Sequence, residues 1–179
     1  MSIYFNADEI FQMGIQIESN GQRFYETVAN HTSEETVRKL FSELSRWESE
    51  HIDLFDKLRQ ALPDSAKKGD LFDPNQELQL YIKAAAESHV FIKNEDITGL
   101  ALRCKTPGEA LDLAITFEKD SVVFYTTIKK VVPEEFGKRQ IELLIDEEIN
   151  HISILVQKRR ELKAQKGGSS SSSIRRKIA

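Results

Sequence analysis

The sequence predicts an all-α protein, a four-helix bundle made of two helical hairpins with a long crossover between the second and third long helices. Apolar residues recur at three- and four-residue intervals through four long stretches. Those stretches open on capping patterns and close at breakers. The second pair of stretches also repeats the first at a constant offset of 100 residues.

The first helix is expected over about residues 7 to 30, with Ile10, Met13, Ile17, Phe24 and Val28 on broad apolar faces and Asn6 with Glu9 as a capping box. After "NHTS", Thr32 and Glu35 repeat the capping-box pattern, and no Gly or Pro interrupts the second helix before Pro63. From Pro63 to Thr106 the chain reads as a crossover: turn-rich "PDSAKKGDLFDPN", a short helix in "QELQLYIKAAAESHVFI", and a second turn in "KNEDITG". Thr106 as cap, Pro107 at the first helical position and Glu109 closing a capping box start the third long helix, and the fourth follows Pro133. These elements make one domain over residues 1–166; "KGGSSSSSIRRKIA" then changes composition abruptly, and residues 167–179 are expected to form a flexible, basic Gly/Ser tail.

Acidic residues outnumber basic ones 29 to 25, for a formal net charge of −4, so no basic field points to nucleic acid or anionic lipid. The single cysteine, Cys104, excludes an internal disulfide and a multi-thiolate metal site. No leader pattern or membrane-length apolar run is read in the sequence, and a cytoplasmic location is the expectation.

Laying "IQIESNGQRFYETV" over "ITFEKDSVVFYTTI" pairs Glu18 with Glu118, Phe24 with Phe124 and Tyr25 with Tyr125. With the same offset, "RWESEHIDLF" and "DEEINHISIL" pair Glu48 with Glu148 and His51 with His151. Neighbours three, four and seven residues away test the face each glutamate occupies. Around Glu118 they are Leu111, Ala114, Ile115, Val122 and Tyr125; around Glu148 they are Ile141, Leu144, Ile145, Ile152 and Leu155. Phe41, Leu44, Ile52 and Phe55 surround Glu48, and Phe11, Ile15 and Tyr25, with Gln22, surround Glu18.

Burying ionised carboxylates without partners costs several kcal/mol each, and converging carboxylates repel one another. No Lys or Arg occupies these stripes, whereas two metal cations would balance four glutamates, with His51 and His151 as nitrogen ligands. A single Glu-x-x-His is commonplace on a Glu-rich helix and by itself reads as surface. Two of them, each 30 residues after a glutamate on the preceding helix, form the ligand pattern of dinuclear carboxylate bundles. Carboxylate with imidazole suits iron, with manganese or zinc as alternatives.

Tyr25 and Tyr125 lie seven residues after Glu18 and Glu118, where a phenol could hydrogen-bond to a ligand or donate an electron, or simply pack in the core. Glu50 and Glu147 are candidates for supporting a histidine N–H, or for ordinary solvated residues. His31 is explained by helix capping, His89 by packing on the crossover helix, and Trp47 by a neighbouring face used for packing or subunit contact.

On these residues, over roughly positions 5 to 162, the chain resembles the rubrerythrin-like branch of the ferritin-like di-iron carboxylate superfamily. The resemblance implies Glu48 and Glu148 as bridging carboxylates, Glu18 and Glu118 as terminal ones, and His51 and His151 as nitrogen ligands of two iron ions. It implies reduction of hydrogen peroxide, or oxidation of ferrous iron by dioxygen or peroxide, with an external electron donor such as a rubredoxin-type protein and a homodimeric assembly. Iron storage or metal buffering is the alternative, and a purely structural helical module a third. Two departures stand out: the cysteines of a rubredoxin domain are missing, and Ser121 stands where rubrerythrins tend to have a second glutamate three residues after the third-helix ligand. The tail also permits a docking role inside a protein shell.

Overall fold

The computed structural model describes residues 6–68, 80, 82–84 and 96–175. Its long helices are α1 (Ala7–His31), α2 (Glu35–Ala61), α5 (Pro107–Ile128) and α6 (Lys138–Arg175), with short helices α3 (Asp64–Lys68) and α4 (Ile97–Arg103) in the crossover. Helix α1 packs along α2 and α5 along α6, so the two predicted hairpins are the two halves of the bundle. The all-α prediction holds, and among the described residues there is no strand.

Local chemistry sets the boundaries. Asn6 accepts from the Glu9 backbone N–H while the Glu9 carboxylate accepts from the Asn6 N–H, both at 2.9 Å, completing the capping box of α1. Thr106 caps α5 by accepting from Glu109 N–H at 3.2 Å, and the Glu109 side chain reaches back to the N–H of Lys105. The capping box predicted at Thr32 and Glu35 does not form. Thr32 closes α1 through its own N–H to Val28 O, and its hydroxyl accepts from Glu34 N–H, leaving Glu34 as the N-cap of α2. With the connection so short, one residue cannot both end one helix and cap the next.

The crossover differs from expectation where it is described. Two stretches read as turns contain short helices, α3 and α4, the latter started by Asp96, which accepts from Gly99 N–H at 2.7 Å. Most of the helix expected over residues 76–92, and His89 with it, lies outside the described residues. At the C-terminal end, where a flexible tail is expected from residue 167, α6 continues to Arg175. Two glycines cost about 1 kcal/mol each in a helix, yet each added residue still gains a backbone hydrogen bond once the helix is nucleated.

Between the hairpins the apolar side chains form two clusters. One contains Phe24, Tyr25, Phe41, Leu44, Leu111 and Phe117; the other contains Phe11, Ile17, Phe55, Phe124, Tyr125 and Leu144. Gly14 permits the close approach of α1 to α2, since a Cβ there would lie 2.8 Å from the Phe55 ring. Gly137, at φ 103°, makes the left-handed turn between the 3-10 turn Glu134–Phe136 and α6. Among the described residues no helix is long and apolar enough to cross a membrane.

Candidate metal centre

All four predicted glutamates and both histidines point into the bundle. Glu18, Glu48, Glu118, Glu148, His51 and His151 are each at most 4% exposed. Burial to that degree is rare for a carboxylate and demands a counter-charge or hydrogen bonds.

The six fall into two overlapping sets. Glu18, Glu48, His51 and Glu148 bring one ligand atom each within 4.8 Å of one another, and so do Glu48, Glu118, Glu148 and His151. Glu48 and Glu148 belong to both sets; Glu18 with His51, and Glu118 with His151, belong to one each. Each histidine turns Nδ1 toward the acids. His51 Nδ1 lies 3.6 Å from Glu18 and from Glu48 and 3.2 Å from Glu148, and His151 Nδ1 lies 3.1 Å from Glu148 and 3.8 Å from Glu118. The two rings stand 5.6 Å apart, nearly parallel.

The tyrosines cross over between the halves. Tyr25, on the helix of Glu18, donates its hydroxyl to Glu118 at 2.6 Å, and Tyr125, on the helix of Glu118, donates to Glu18. The sequence placed each phenol near the glutamate of its own helix; the structure pairs it with the equivalent glutamate across the pseudo-twofold axis. Tyr25 belongs to one apolar cluster and Tyr125 to the other, so the hydroxyls enter the acidic cluster from opposite sides. Burial, together with the facing carboxylates, holds both phenols well above their ordinary pKa, so they remain donors.

Within the cluster, three buried atoms have no hydrogen-bond partner: Glu48 Oε2, His51 Nδ1 and Glu148 Oε1. His51 Nδ1 lies close to Glu148 Oε1, but out of line for a hydrogen bond. Orphaned polar atoms at such depth cost about 1–3 kcal/mol each, more when charged. All three belong to the set containing Glu18 and His51, and the two carboxylate oxygens are on the glutamates common to both sets. The donor set therefore fits a pair of cations.

Protonation follows the crowding. Burial first, then the charges of neighbouring carboxylates, pushes Glu48 well above the usual carboxylate range and Glu118 up to about 8. Burial also opposes the charge on Glu148, but His151 and His51 outweigh it and hold that carboxyl low. For both histidines burial disfavours the cation, yet the surrounding carboxylates prevail, raising His151 to about 9 and His51 further. Without a metal ion, protons take over the role of cations in balancing the cluster.

Two residues next to the clustered glutamates belong to the site more closely than the sequence indicated. His51 donates from Nε2 to Glu147 Oε2 at 3.1 Å, although Glu147 is largely solvated. Trp47, expected on a neighbouring face, stacks on His151 with ring centroids 4.8 Å apart and planes 9° from parallel. Glu50, the other candidate for supporting a histidine, instead accepts from Arg46 on the surface. His31 hydrogen-bonds to Thr27 O within its own helix, as capping predicts. Ser121 is buried on the inner side of α5.

Residues 9–95 match the rubrerythrin family model. A solved structure from Thermotoga maritima, described as a candidate ferritin-like diiron-carboxylate protein, superimposes with a TM-score of 0.67 at 24% identity, covering 90% of this chain and 99% of that one. At that identity the likeness establishes the fold. Comparison with curated proteins finds no match. The single cysteine leaves no rubredoxin-type site of four thiolates within these 179 residues.

Proposed function

We propose that this chain, rubrerythrin-like over residues 9–95 and ferritin-like in fold, is a dinuclear redox protein that reduces hydrogen peroxide or oxidises ferrous iron with dioxygen or peroxide. The observation that carries the reading is the pair of buried ligand sets sharing Glu48 and Glu148. Glu48 and Glu148 would touch both ions, Glu18 and His51 would complete one, and Glu118 and His151 the other. Four carboxylates balance two dications, and hard oxygen donors with one imidazole per ion favour iron, with manganese or zinc compatible. Bound there, two iron ions would supply Lewis acidity and one electron each, the pair that reduction of peroxide to water requires.

The protein's own groups position and insulate. Tyr25 and Tyr125 keep their protons and hold the terminal carboxylates by one oxygen, restricting how those side chains rotate. Phe24, Phe41, Phe55 and Phe124, fully buried around the two phenols, keep bulk water away from the acids. Ser121 offers no carboxylate, so the glutamate exchange associated with rubrerythrins is not available to this chain. An external donor returns electrons after each turnover.

Anaerobic loading with ferrous iron followed by peroxide titration tests the reading. About one peroxide should be consumed per two irons, as the two-electron balance demands. E48Q and E148Q should lose this reaction together with the metal. Wild-type protein that binds two irons yet consumes neither peroxide nor dioxygen would overturn the redox assignment.

A further inference from the structure

The two halves of the site are built from equivalent residues with one exception that touches the histidines. Position 47 is Trp and position 147, its equivalent at the offset of 100, is Glu. Each lies against the histidine of the opposite hairpin: Glu147 accepts from His51 Nε2 at 3.1 Å, and Trp47 stacks on the face of His151. Since a carboxylate only accepts, the bond to Glu147 keeps a proton on His51 Nε2, so Nδ1, which faces the acidic cluster, is the nitrogen left to meet a metal ion. An indole offers no acceptor oxygen, so Trp47 cannot do the same for His151.

A carboxylate on the outer N–H of a metal-binding imidazole orients the ring and makes the inner nitrogen a stronger donor, and losing such a partner typically costs about 10–100-fold in metal affinity. Of the orphaned atoms, Glu48 Oε2 and Glu148 Oε1 are on the shared glutamates, while His51 Nδ1 belongs only to the set that contains Glu18; the His151 Nδ1 has a partner in Glu148.

Building on the dinuclear reading, we propose that the two metal positions are inequivalent. The position formed by Glu18 and His51 fills first and retains its ion, that of Glu118 and His151 is the exchangeable one, and Glu147 creates the difference as a positioning residue acting through His51. The exchangeable ion lies on the side of Trp47, which is itself partly exposed.

Cobalt(II) is the probe, with the full chain crystallised at one equivalent and in excess, and anomalous peaks measured at both positions. For two otherwise independent positions at one equivalent, the occupancy ratio is the square root of the affinity ratio, so a 10–100-fold gap predicts about 3:1 to 10:1 in favour of His51. E147Q, which keeps the shape but removes the anion, should bring the ratio toward about 1. E50Q, which removes an exposed carboxylate that among the described residues pairs with Arg46 and not with a histidine, should leave the wild-type ratio intact. Equal peaks in wild type, a wild-type ratio that survives E147Q, or one that collapses in E50Q would overturn the proposal. Fewer than two cobalt ions in excess metal would instead refute the dinuclear reading beneath it.

Discussion

Replacing Tyr125 with Phe removes a single oxygen from the bundle interior. The ring stays packed, 5.4 Å from Phe55 and 5.7 Å from Phe124, so no cavity larger than the hydroxyl opens. What disappears is the hydrogen bond to Glu18, and with it the partner of one buried carboxylate oxygen. Hydrogen bonds to charged groups contribute about 1.5–3 kcal/mol net, and the unsatisfied oxygen has no route to water. For a chain of this size, about 2–4 °C per kcal/mol translates that loss into a fall of about 3–12 °C in melting temperature for the metal-free protein. Because the phenol supports a carboxylate and is not itself a ligand, metal content should remain at two ions per chain. Tyr25→Phe should act in the same direction on Glu118, but less strongly at neutral pH because burial and neighbouring charges raise that carboxyl to about 8, and the double variant should deviate from additivity, because the two carboxyls share one cluster. Circular-dichroism melts with and without metal, beside elemental analysis, measure both quantities. An unchanged metal-free melt, or loss of an ion in Tyr125→Phe, would refute the reasoning.

Three further predictions follow from the same geometry. Glu48→Ala and Glu148→Ala each remove a residue common to both ligand sets, so elemental analysis should find bound metal falling toward zero in either variant; two retained ions would contradict a shared role. The folded-state pKa values of Glu118 and His151 are raised to about 8 and about 9 from 4.5 and 6.5, so their stabilisation of the metal-free fold is complete below the unfolded values and lost as pH rises through the folded ones. Metal-free protein should therefore melt at lower temperature at pH 9 than at pH 6.5, while metal uptake tightens over the same range and releases protons into a weak buffer; a melting temperature that rises would reverse the sign. Gly14→Ala forces a Cβ to 2.8 Å from the Phe55 ring, and overpacking of this kind costs about 1–3 kcal/mol in a denaturation experiment; a neutral result would show that Phe55 yields freely.

The long helices and the inward-facing positions of the four glutamates and two histidines were legible in the sequence because both rest on repetition. Four turns of apolar spacing around each glutamate assign its face unambiguously, and the 100-residue offset doubles every such argument. What escaped depends on geometry between elements. Trp47 and Glu147 precede their glutamates by one residue, a rotation of about 100° that places them at the margin of the inner face; there the histidine of the opposite hairpin meets them. The crossed tyrosines are likewise invisible to periodicity, which assigns a residue to a face of its own helix and says nothing of which neighbour it touches. Short α4 was hidden because "DITG" reads as a turn, while Asp96 in fact caps a helix of only 7 residues, too short for any period to emerge.

The central claim is that four buried carboxylates and two imidazoles hold a pair of cations. Elemental analysis of anaerobically purified protein, joined to an anomalous-scattering map at the edge of the metal found, tests it most directly. Two ions per chain are expected, each beside one histidine, with Glu48 and Glu148 contacting both. Density for a single ion, or for none while the six side chains keep their inward positions, would contradict it.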